Sequence, residues 1–146
     1  MIITIPHSSN RVPEEIRGKL ALGEEEVSNS WDLGSSEIYG ALPVRYIVQA
    51  KYSRIAADLN RSPRTEGPKG VVPLSDYSGR SIYLDGFVLT EEETKRRLKV
   101  YYWPFHRRIE RLVREGRGMG IIDCHTLNGI GPKKAPDCGK RRPDVV

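Results

Sequence analysis

Short apolar runs rich in β-branched residues recur along the chain and are separated by segments with helical character. The first run, Ile2–Ile5, is followed at once by Pro6, and later runs cover residues 44–50, 55–59 and 120–124. Runs of this length and composition predict short buried strands. Strands that alternate with helices predict an α/β domain with a mixed, mostly parallel sheet and helices on its faces. A chain of 146 residues suits one such domain.

The clearest helical pattern lies between Thr90 and Gly116. Thr90 and Glu93 have the spacing of a capping box, and Gly116 is suited to end the helix. Apolar residues recur between these ends at intervals of three and four, which predicts one apolar stripe: Leu98, Tyr101, Tyr102, Phe105, Ile109, Leu112 and Val113. Pro104 lies inside this pattern and predicts a kink.

The remaining segments are shorter or irregular. Helical pieces are expected in residues 13–30 and from residue 35 to about 41. Residues 62–87 contain repeated Pro and Gly, which predicts a long irregular segment of the kind that is usually functional or mobile. Cys124 and Cys138 are not part of a C-x-x-C pair, and we expect both to be reduced.

The formal net charge of +5 favours an anionic partner. Much of the positive charge lies in the predicted long helix, where interleaved glutamates are typical of a solvated face; a further basic cluster covers residues 133–134 and 140–142. We therefore do not expect a nucleic-acid partner, although that alternative stays open. No apolar run approaches the ~20 residues that cross a bilayer, and the N-terminus lacks the basic segment of a secretory signal. A cytoplasmic protein without a membrane partner is predicted.

Two of the three histidines follow predicted strands. His7 comes two residues after Ile2–Ile5, and His125 comes directly after residues 120–124. If these strands are parallel in one sheet, both imidazoles emerge at the same edge, where zinc would favour them together with a carboxylate and a water. A water bound in this way becomes acidic enough to act as a nucleophile. The alternative is a pair of histidines without a metal. His106, within the long helix, is expected to be a packed or boundary residue.

Carboxylates and arginines near these histidines have two interpretations each. Asp123 lies two residues before His125, so both side chains leave an extended strand on the same side, where Asp123 could bind the metal or orient His125. Asp32 lies in a turn before a predicted helix, where it could equally be the N-cap. Arg54 and Arg61 flank residues 55–59. Either could bind a substrate carboxylate or simply pair with the nearby Asp58.

Five motifs in order resemble the N-formylglutamate amidohydrolase family: "IPHSSNRVP", "WDLGSSEIYGAL", "YSRIAADLNRS", "YYWPFHRRIERL" and "IIDCHT". The resemblance implies a three-layer α/β/α domain around a mixed sheet, similar to the hydrolase fold of zinc carboxypeptidases and aspartoacylases. It also implies hydrolysis of an N-acyl amide on a small acidic amino acid, such as N-formylglutamate, by a zinc-activated water. The implied partner is thus a small anionic N-acyl amino acid.

The resemblance also implies roles for individual residues. The implied zinc ligands are His7, Asp32 and His125, which replaces the N-cap interpretation of Asp32. Asn60 and Arg61 match the pair that holds the substrate's α-carboxylate in the related carboxypeptidases. Arg54 would polarise the scissile carbonyl, since a guanidinium and a metal together stabilise a developing oxyanion.

The chain departs from the family in ways that leave its activity open. Ser9 stands where the family usually has Gly, and Thr126 where it usually has Ser. Family sequences continue beyond the point that corresponds to residue 146, and that part supplies a glutamate general base, a catalyst worth typically ~10²–10⁴-fold. We therefore expect a fragment or a shortened member of the family, with an uncovered sheet edge that favours self-association. The alternative function is a catalytically impaired module that binds an anionic partner.

Overall fold

The structure is a computed structural model that describes residues 1–65, 67, 70–131 and 135–143. Along these residues the elements are β1 (Ile2–Ile5), α1 (Glu14–Arg17), α2 (Glu24–Ser28), α3 (Ser35–Gly40), β2 (Tyr46–Gln49), α4 (Glu91–Arg97), a π-helical turn (Leu98–Tyr102), α5 (Trp103–Arg114) and β3 (Ile121–Asp123). Residues 133–134 of the basic cluster lie outside the described residues. None of the helices in the described part of the chain is long and apolar enough to cross a membrane.

Strand β1 lies at the centre of a parallel sheet with the order β2-β1-β3. Its Ile3 is level with Ile47 of β2 on one side and Ile122 of β3 on the other. Because the three strands run in the same direction, their carboxyl ends meet at one edge of the sheet. The predicted α/β class and the strands expected near residues 2–5, 44–50 and 120–124 are confirmed.

The side chains of β1 alternate between two apolar clusters. Ile2 belongs to the larger cluster, together with Val48 of β2 and Phe105 of α5. Ile3 and Ile5 belong to a smaller cluster that also contains Cys124, with Tyr39 and Ile47 partly buried against it. Both faces of the central strand are therefore covered, which explains why all four of its residues are buried.

The prediction of a strand at residues 55–59 is wrong. Residues 55–56 and residue 59 lie in turns, and Ala56 N–H donates to the Ser53 carbonyl at 2.9 Å; Asp58 N–H donates to the distant Val71 carbonyl at 2.7 Å, but no strand forms there. The run is apolar because its side chains enter the larger cluster from an irregular segment. A loop that is buried in the core can therefore have the same run of apolar residues as a buried strand.

The long helix confirms most of its predicted features and corrects one. Thr90 is the N-cap, and its Oγ1 accepts from Glu93 N–H at 3.1 Å. The capping box is only half formed, because the Glu93 carboxylate binds arginines instead of the Thr90 backbone. The interruption expected at Pro104 takes the form of the π-helical turn directly before α5. Gly116 ends the helix at φ +62°, with Arg117 N–H donating to the Leu112 carbonyl.

A buried guanidinium joins this helix to the irregular segments. The side chain of Arg97 is 0% exposed. Its Nε donates to Glu93 Oε1 at 2.8 Å, and its Nη1 donates to the Tyr83 hydroxyl at 2.7 Å and to the Ile55 carbonyl at 3.3 Å. A buried charge needs such partners because desolvation is costly. Helix α4 is therefore fixed to Ile55 and Tyr83 by one side chain.

We expect Glu93→Gln to lower the free energy of unfolding by about 3–5 kcal/mol, because it leaves the buried Arg97 charge without its carboxylate. Urea denaturation followed by circular dichroism measures the change. The matched control is Glu92→Gln, an exposed neighbour that should change stability by less than about 0.5 kcal/mol. Equal stability of the two variants would contradict the assigned role.

The same ion pair predicts a pH dependence. Hydrogen bonds from Arg96 and Arg97 hold the pKa of Glu93 at about 2, below its ordinary 4.5. A lowered folded-state pKa contributes stability that is present above the unfolded pKa and is lost as pH falls towards the folded value. The stability difference between the wild type and Glu93→Gln should thus be constant above pH 5 and shrink between about 4.5 and 2. A difference that does not change over this range would argue against the pair.

Candidate metal centre

Three predicted ligands converge beyond the carboxyl ends of the strands. One possible ligand atom from each of His7, Asp32 and His125 lies within 4.8 Å of the other two. His7 follows β1 and His125 follows β3, so parallel pairing brings the two imidazoles to the same edge, with ring centroids 5.1 Å apart. The expectation that these strands deliver both histidines to one place is confirmed.

Local backbone and side-chain contacts hold Asp32 against this edge. Asp32 N–H donates to the His7 carbonyl at 3.1 Å, and Thr126 Oγ1 donates to the Leu33 carbonyl at 2.9 Å. The N-cap of α3 is Gly34, which makes no side-chain cap. The carboxylate of Asp32 faces the two histidines, so the N-cap interpretation of Asp32 is wrong.

Each imidazole lies between Asp32 and a second carboxylate. The Nδ1 atoms of His7 and His125 are 3.6 and 2.8 Å from Asp32 Oδ2. On the opposite side of each ring, His7 Nε2 is 2.8 Å from Asp58 Oδ1, and His125 Nε2 is 3.1 Å from Asp123 Oδ2. This is the arrangement in which an Nε2–H donates to a carboxylate and leaves Nδ1 as the metal ligand.

The carboxylates of the centre stabilise positive charge, which protons on the imidazoles supply here and which a divalent ion would supply by displacing the protons on Nδ1. Burial raises the pKa of Asp32, but hydrogen bonds from His125 and His7 outweigh it and hold the value at about 2. Hydrogen bonds to Asp123 and Asp32 raise the pKa of His125 to about 9. Among the described residues, Asp32 and Asp123 have histidines and neither Lys nor Arg as ionic partners. Two imidazoles and one carboxylate, each oriented by neighbours, suit a zinc-like divalent ion.

Asp58 is the residue of this centre that sequence reasoning missed. It is 2% exposed, and its Oδ1 accepts from Asn60 N–H at 3.0 Å as well as facing His7. Its Oδ2 accepts from Arg54 Nη2 at 2.6 Å and lies 3.4 Å from Arg61 Nε. Burial raises the pKa of Asp58, but His7 and Arg54 together lower it well below the usual range. An aspartate set between Ala57 and Leu59 in a buried apolar run was the available signal.

The remaining predicted residues surround the same centre. Asn60 Nδ2 lies 3.4 Å from His125 Nε2. Arg54 lines two adjoining cavities: an inner cavity of about 210 Å³, which it shares with Asp58 and Arg61, and an outer cavity of about 320 Å³, which it shares with Asp32. Arg54 and Arg61 therefore both pair with Asp58, as one of the two interpretations from the sequence predicted. Both also line a cavity that a ligand could enter.

The third histidine and the cysteines match expectation. His106 lies in α5, where its Nε2 is 3.0 Å from the Leu59 carbonyl and its ring packs on Tyr102. Burial lowers the pKa of His106. Cys124 is buried and Cys138 is exposed, and both are free.

The fold and the site together define a parallel α/β domain with a candidate metal centre of two histidines and one aspartate. The family model for N-formylglutamate amidohydrolase matches residues 1–146. The chain therefore belongs to the N-formylglutamate amidohydrolase family, and the resemblance seen in its motifs is confirmed.

Individual relatives agree with this assignment. The chain is 27% identical to an N-formylglutamate deformylase of Pseudomonas putida over 94% of its own length and 57% of that protein. It is 26% identical to an N-formylglutamate deformylase of Pseudomonas aeruginosa, over 90% and 53%. A crystal structure of the gene product Atu2144 from Agrobacterium tumefaciens superposes with a TM-score of 0.76 at 23% identity, over 97% of this chain and 55% of that one. The chain thus spans about half the length of the curated relatives it matches.

We expect Asp123→Asn to weaken zinc binding about 10–100-fold, because the carboxylate that orients His125 is lost while the three candidate ligands remain. Competition with a chromophoric chelator measures the affinity. Asp85→Asn, a substitution of an exposed aspartate, is the control and should leave the affinity unchanged. If both variants bind zinc like the wild type, Asp123 does not support the centre.

Proposed function

We propose that this chain carries the metal-dependent hydrolysis of a small N-acyl amino acid, with N-formylglutamate as the reference substrate. The observation that carries the proposal is the convergence of His7, Asp32 and His125 at one sheet edge, beside cavities bordered by arginines. Membership of the amidohydrolase family and two relatives named N-formylglutamate deformylase support the same reaction class.

In this proposal the cofactor is one zinc ion, held by His7 Nδ1, an Asp32 carboxylate oxygen and His125 Nδ1. Bound there, zinc would supply a Lewis acid that makes a water nucleophilic near neutral pH. Asp58 and Asp123 accept from the Nε2–H groups, so they hold each imidazole in the tautomer that leaves Nδ1 free to bind.

The arginines provide the proposed recognition of substrate. Arg61 is 45% exposed and shares the inner cavity with Asp58, so its remaining N–H groups are free to bind the α-carboxylate, aided by the amide of Asn60. Arg54, held by Asp58 at 2.6 Å, lies between the two cavities and would orient and polarise the scissile carbonyl. A substrate bound across both cavities would place its amide beside the metal ligands.

The metal proposal predicts about one zinc per chain in elemental analysis of protein reconstituted with zinc and then dialysed. His7→Ala and His125→Ala should each lose most of this metal, because two ligands cannot hold zinc tightly. His106→Gln is the matched control, since it removes the chain's third histidine outside the centre, and should retain the metal. Zinc retained by both alanine variants, or wild-type protein that cannot be reconstituted, would refute the proposed centre.

The substrate proposal predicts that Arg61→Ala raises KM for an N-formyl amino acid by at least about tenfold, the loss expected for a charge-assisted hydrogen bond. Formate release from zinc-loaded protein measures the kinetics. Arg64→Ala, in the same irregular segment and exposed, should leave KM unchanged. An unchanged KM in Arg61→Ala would remove this residue from the recognition of substrate.

A second candidate function is a catalytically impaired module that binds an anionic partner. It is supported by the arginines that border the two cavities, because an anion could bind to them without being hydrolysed. Zinc binding and saturable N-formylglutamate binding without formate release would favour this candidate over the enzyme.

The layer arrangement of the sheet, the oligomeric state and the cellular location of the chain belong to the same proposal. Strand β3 is at the edge of the described sheet, with Ile121 and Ile122 about half exposed, which supports a further covering layer in a three-layer, mixed-sheet arrangement or self-association as a homo-oligomer. Sedimentation of the purified chain tests the oligomer. A cytoplasmic location and the absence of a nucleic-acid partner stay predictions.

A further inference from the structure

The outer cavity carries an arginine that the proposed reaction does not use. The cavity has a volume of about 320 Å³, and Arg142 lies on its wall together with Arg54 and the candidate metal ligand Asp32. Most of the other described wall residues are polar, among them Asn29 and Asn128. A wall of this kind suits a polar or charged group of a ligand.

Two sets of contacts hold Arg142 at this wall. Its backbone N–H donates to the Gly129 carbonyl at 2.8 Å, which joins it to the loop that follows His125. Its guanidinium donates twice to Asp137, from Nε to Oδ2 at 2.6 Å and from Nη2 to Oδ1 at 3.0 Å, and only 19% of the side chain is exposed. This pair uses one edge of the guanidinium, and no described residue accepts a hydrogen bond from Nη1. A carboxylate in the cavity could therefore bind to the other edge.

The two cavities differ in their balance of charge. The described walls of the inner cavity contain two arginines and two acids: Arg54, Arg61, Asp58 and Asp76. The described walls of the outer cavity contain two arginines and one acid, Asp32, whose carboxylate faces the two histidines. The outer cavity therefore has the larger excess of positive charge and should attract an additional anionic group more strongly.

We propose that Arg142 binds the side-chain carboxylate of an acidic N-acyl amino acid and so determines the preference for such a substrate. This inference rests on the proposed function, which assigns Arg61 to the α-carboxylate and Arg54 to the scissile carbonyl. N-Formylglutamate has a second carboxylate, and Arg142 is the one remaining Lys or Arg in the described walls of the two cavities. A planar guanidinium can bind a carboxylate through two parallel hydrogen bonds, so it distinguishes that group from a neutral amide of the same shape.

Hydrolysis kinetics of zinc-loaded protein give the first test. Arg142→Gln should raise KM for N-formyl-L-glutamate at least about tenfold, the loss expected for a charge-assisted hydrogen bond. KM for N-formyl-L-glutamine, the neutral analogue, should stay nearly unchanged, which also shows that the variant is folded. Arg141→Gln removes the same charge at an exposed neighbouring residue and should keep the wild-type ratio of the two KM values. Arg142→Lys should recover part of the preference, because it restores the charge without the two-bond geometry.

Two kinetic outcomes would overturn the inference. An equal rise in KM for both substrates in Arg142→Gln would assign this arginine to a group that they share, such as the α-carboxylate. Unchanged KM values for both would leave the side-chain carboxylate to Arg54 or Arg61.

A binding measurement separates this inference from the proposed reaction, because it does not depend on turnover. Glutarate has the carbon chain and both carboxylates of glutamate, and glutaramate has an amide in place of one carboxylate. Calorimetry should show that the wild type and Arg141→Gln bind glutarate at least about tenfold more tightly than glutaramate, and that Arg142→Gln loses this preference. This result without formate release from N-formylglutamate would support the role of Arg142 and refute the reaction. Equal affinity of the wild type for the two compounds, or binding of neither, would refute the role of Arg142 even if formate is released.

Discussion

Parallel pairing of β1 with both of its neighbours is the constraint on which the rest of the molecule depends. It brings the carboxyl ends of β1 and β3 to one edge of the sheet, so the ring centroids of His7 and His125 lie 5.1 Å apart. A parallel sheet requires crossover connections, and here the chain between β1 and β2 carries Asp32 back to the same edge. The three candidate ligand positions are therefore a product of topology, although they are distant in sequence.

Asp58 connects the candidate metal ligands to the candidate substrate-binding arginines. One of its oxygens faces His7 and the other accepts from Arg54, so a single buried carboxylate orients a candidate metal ligand and a candidate substrate-binding group. Such a carboxylate is stable only when it is fully hydrogen-bonded, because an uncompensated buried charge is costly. The irregular backbone of residues 55–59 supplies that position, since it turns Asp58 towards the histidine while its neighbours enter the apolar core.

The sequence predicted those features that depend on local pattern. The strands ending before His7 and His125, the N-cap at Thr90 and the end of the long helix at Gly116 all follow from neighbouring residues. The predicted strand at residues 55–59 failed because burial of a loop and burial of a strand produce the same apolar run. The roles of Asp58 and of the Glu93 carboxylate depend on partners fixed by tertiary structure, which a local pattern does not contain.

The π-helical turn before α5 has a consequence for how this family varies. Such a turn holds one residue more than an α-helix, and one residue in a helix corresponds to a rotation of about 100°. Removing a single residue from Leu98–Tyr102 would turn every side chain of α5 relative to α4 and move the Tyr102 hydroxyl away from the Arg61 carbonyl, to which it now donates at 2.9 Å. The number of residues in this segment therefore constrains the structure independently of which residues they are. We therefore expect family members with a gap at this point to hold the residue that corresponds to Arg61 by a different contact, even where every substitution elsewhere is conservative.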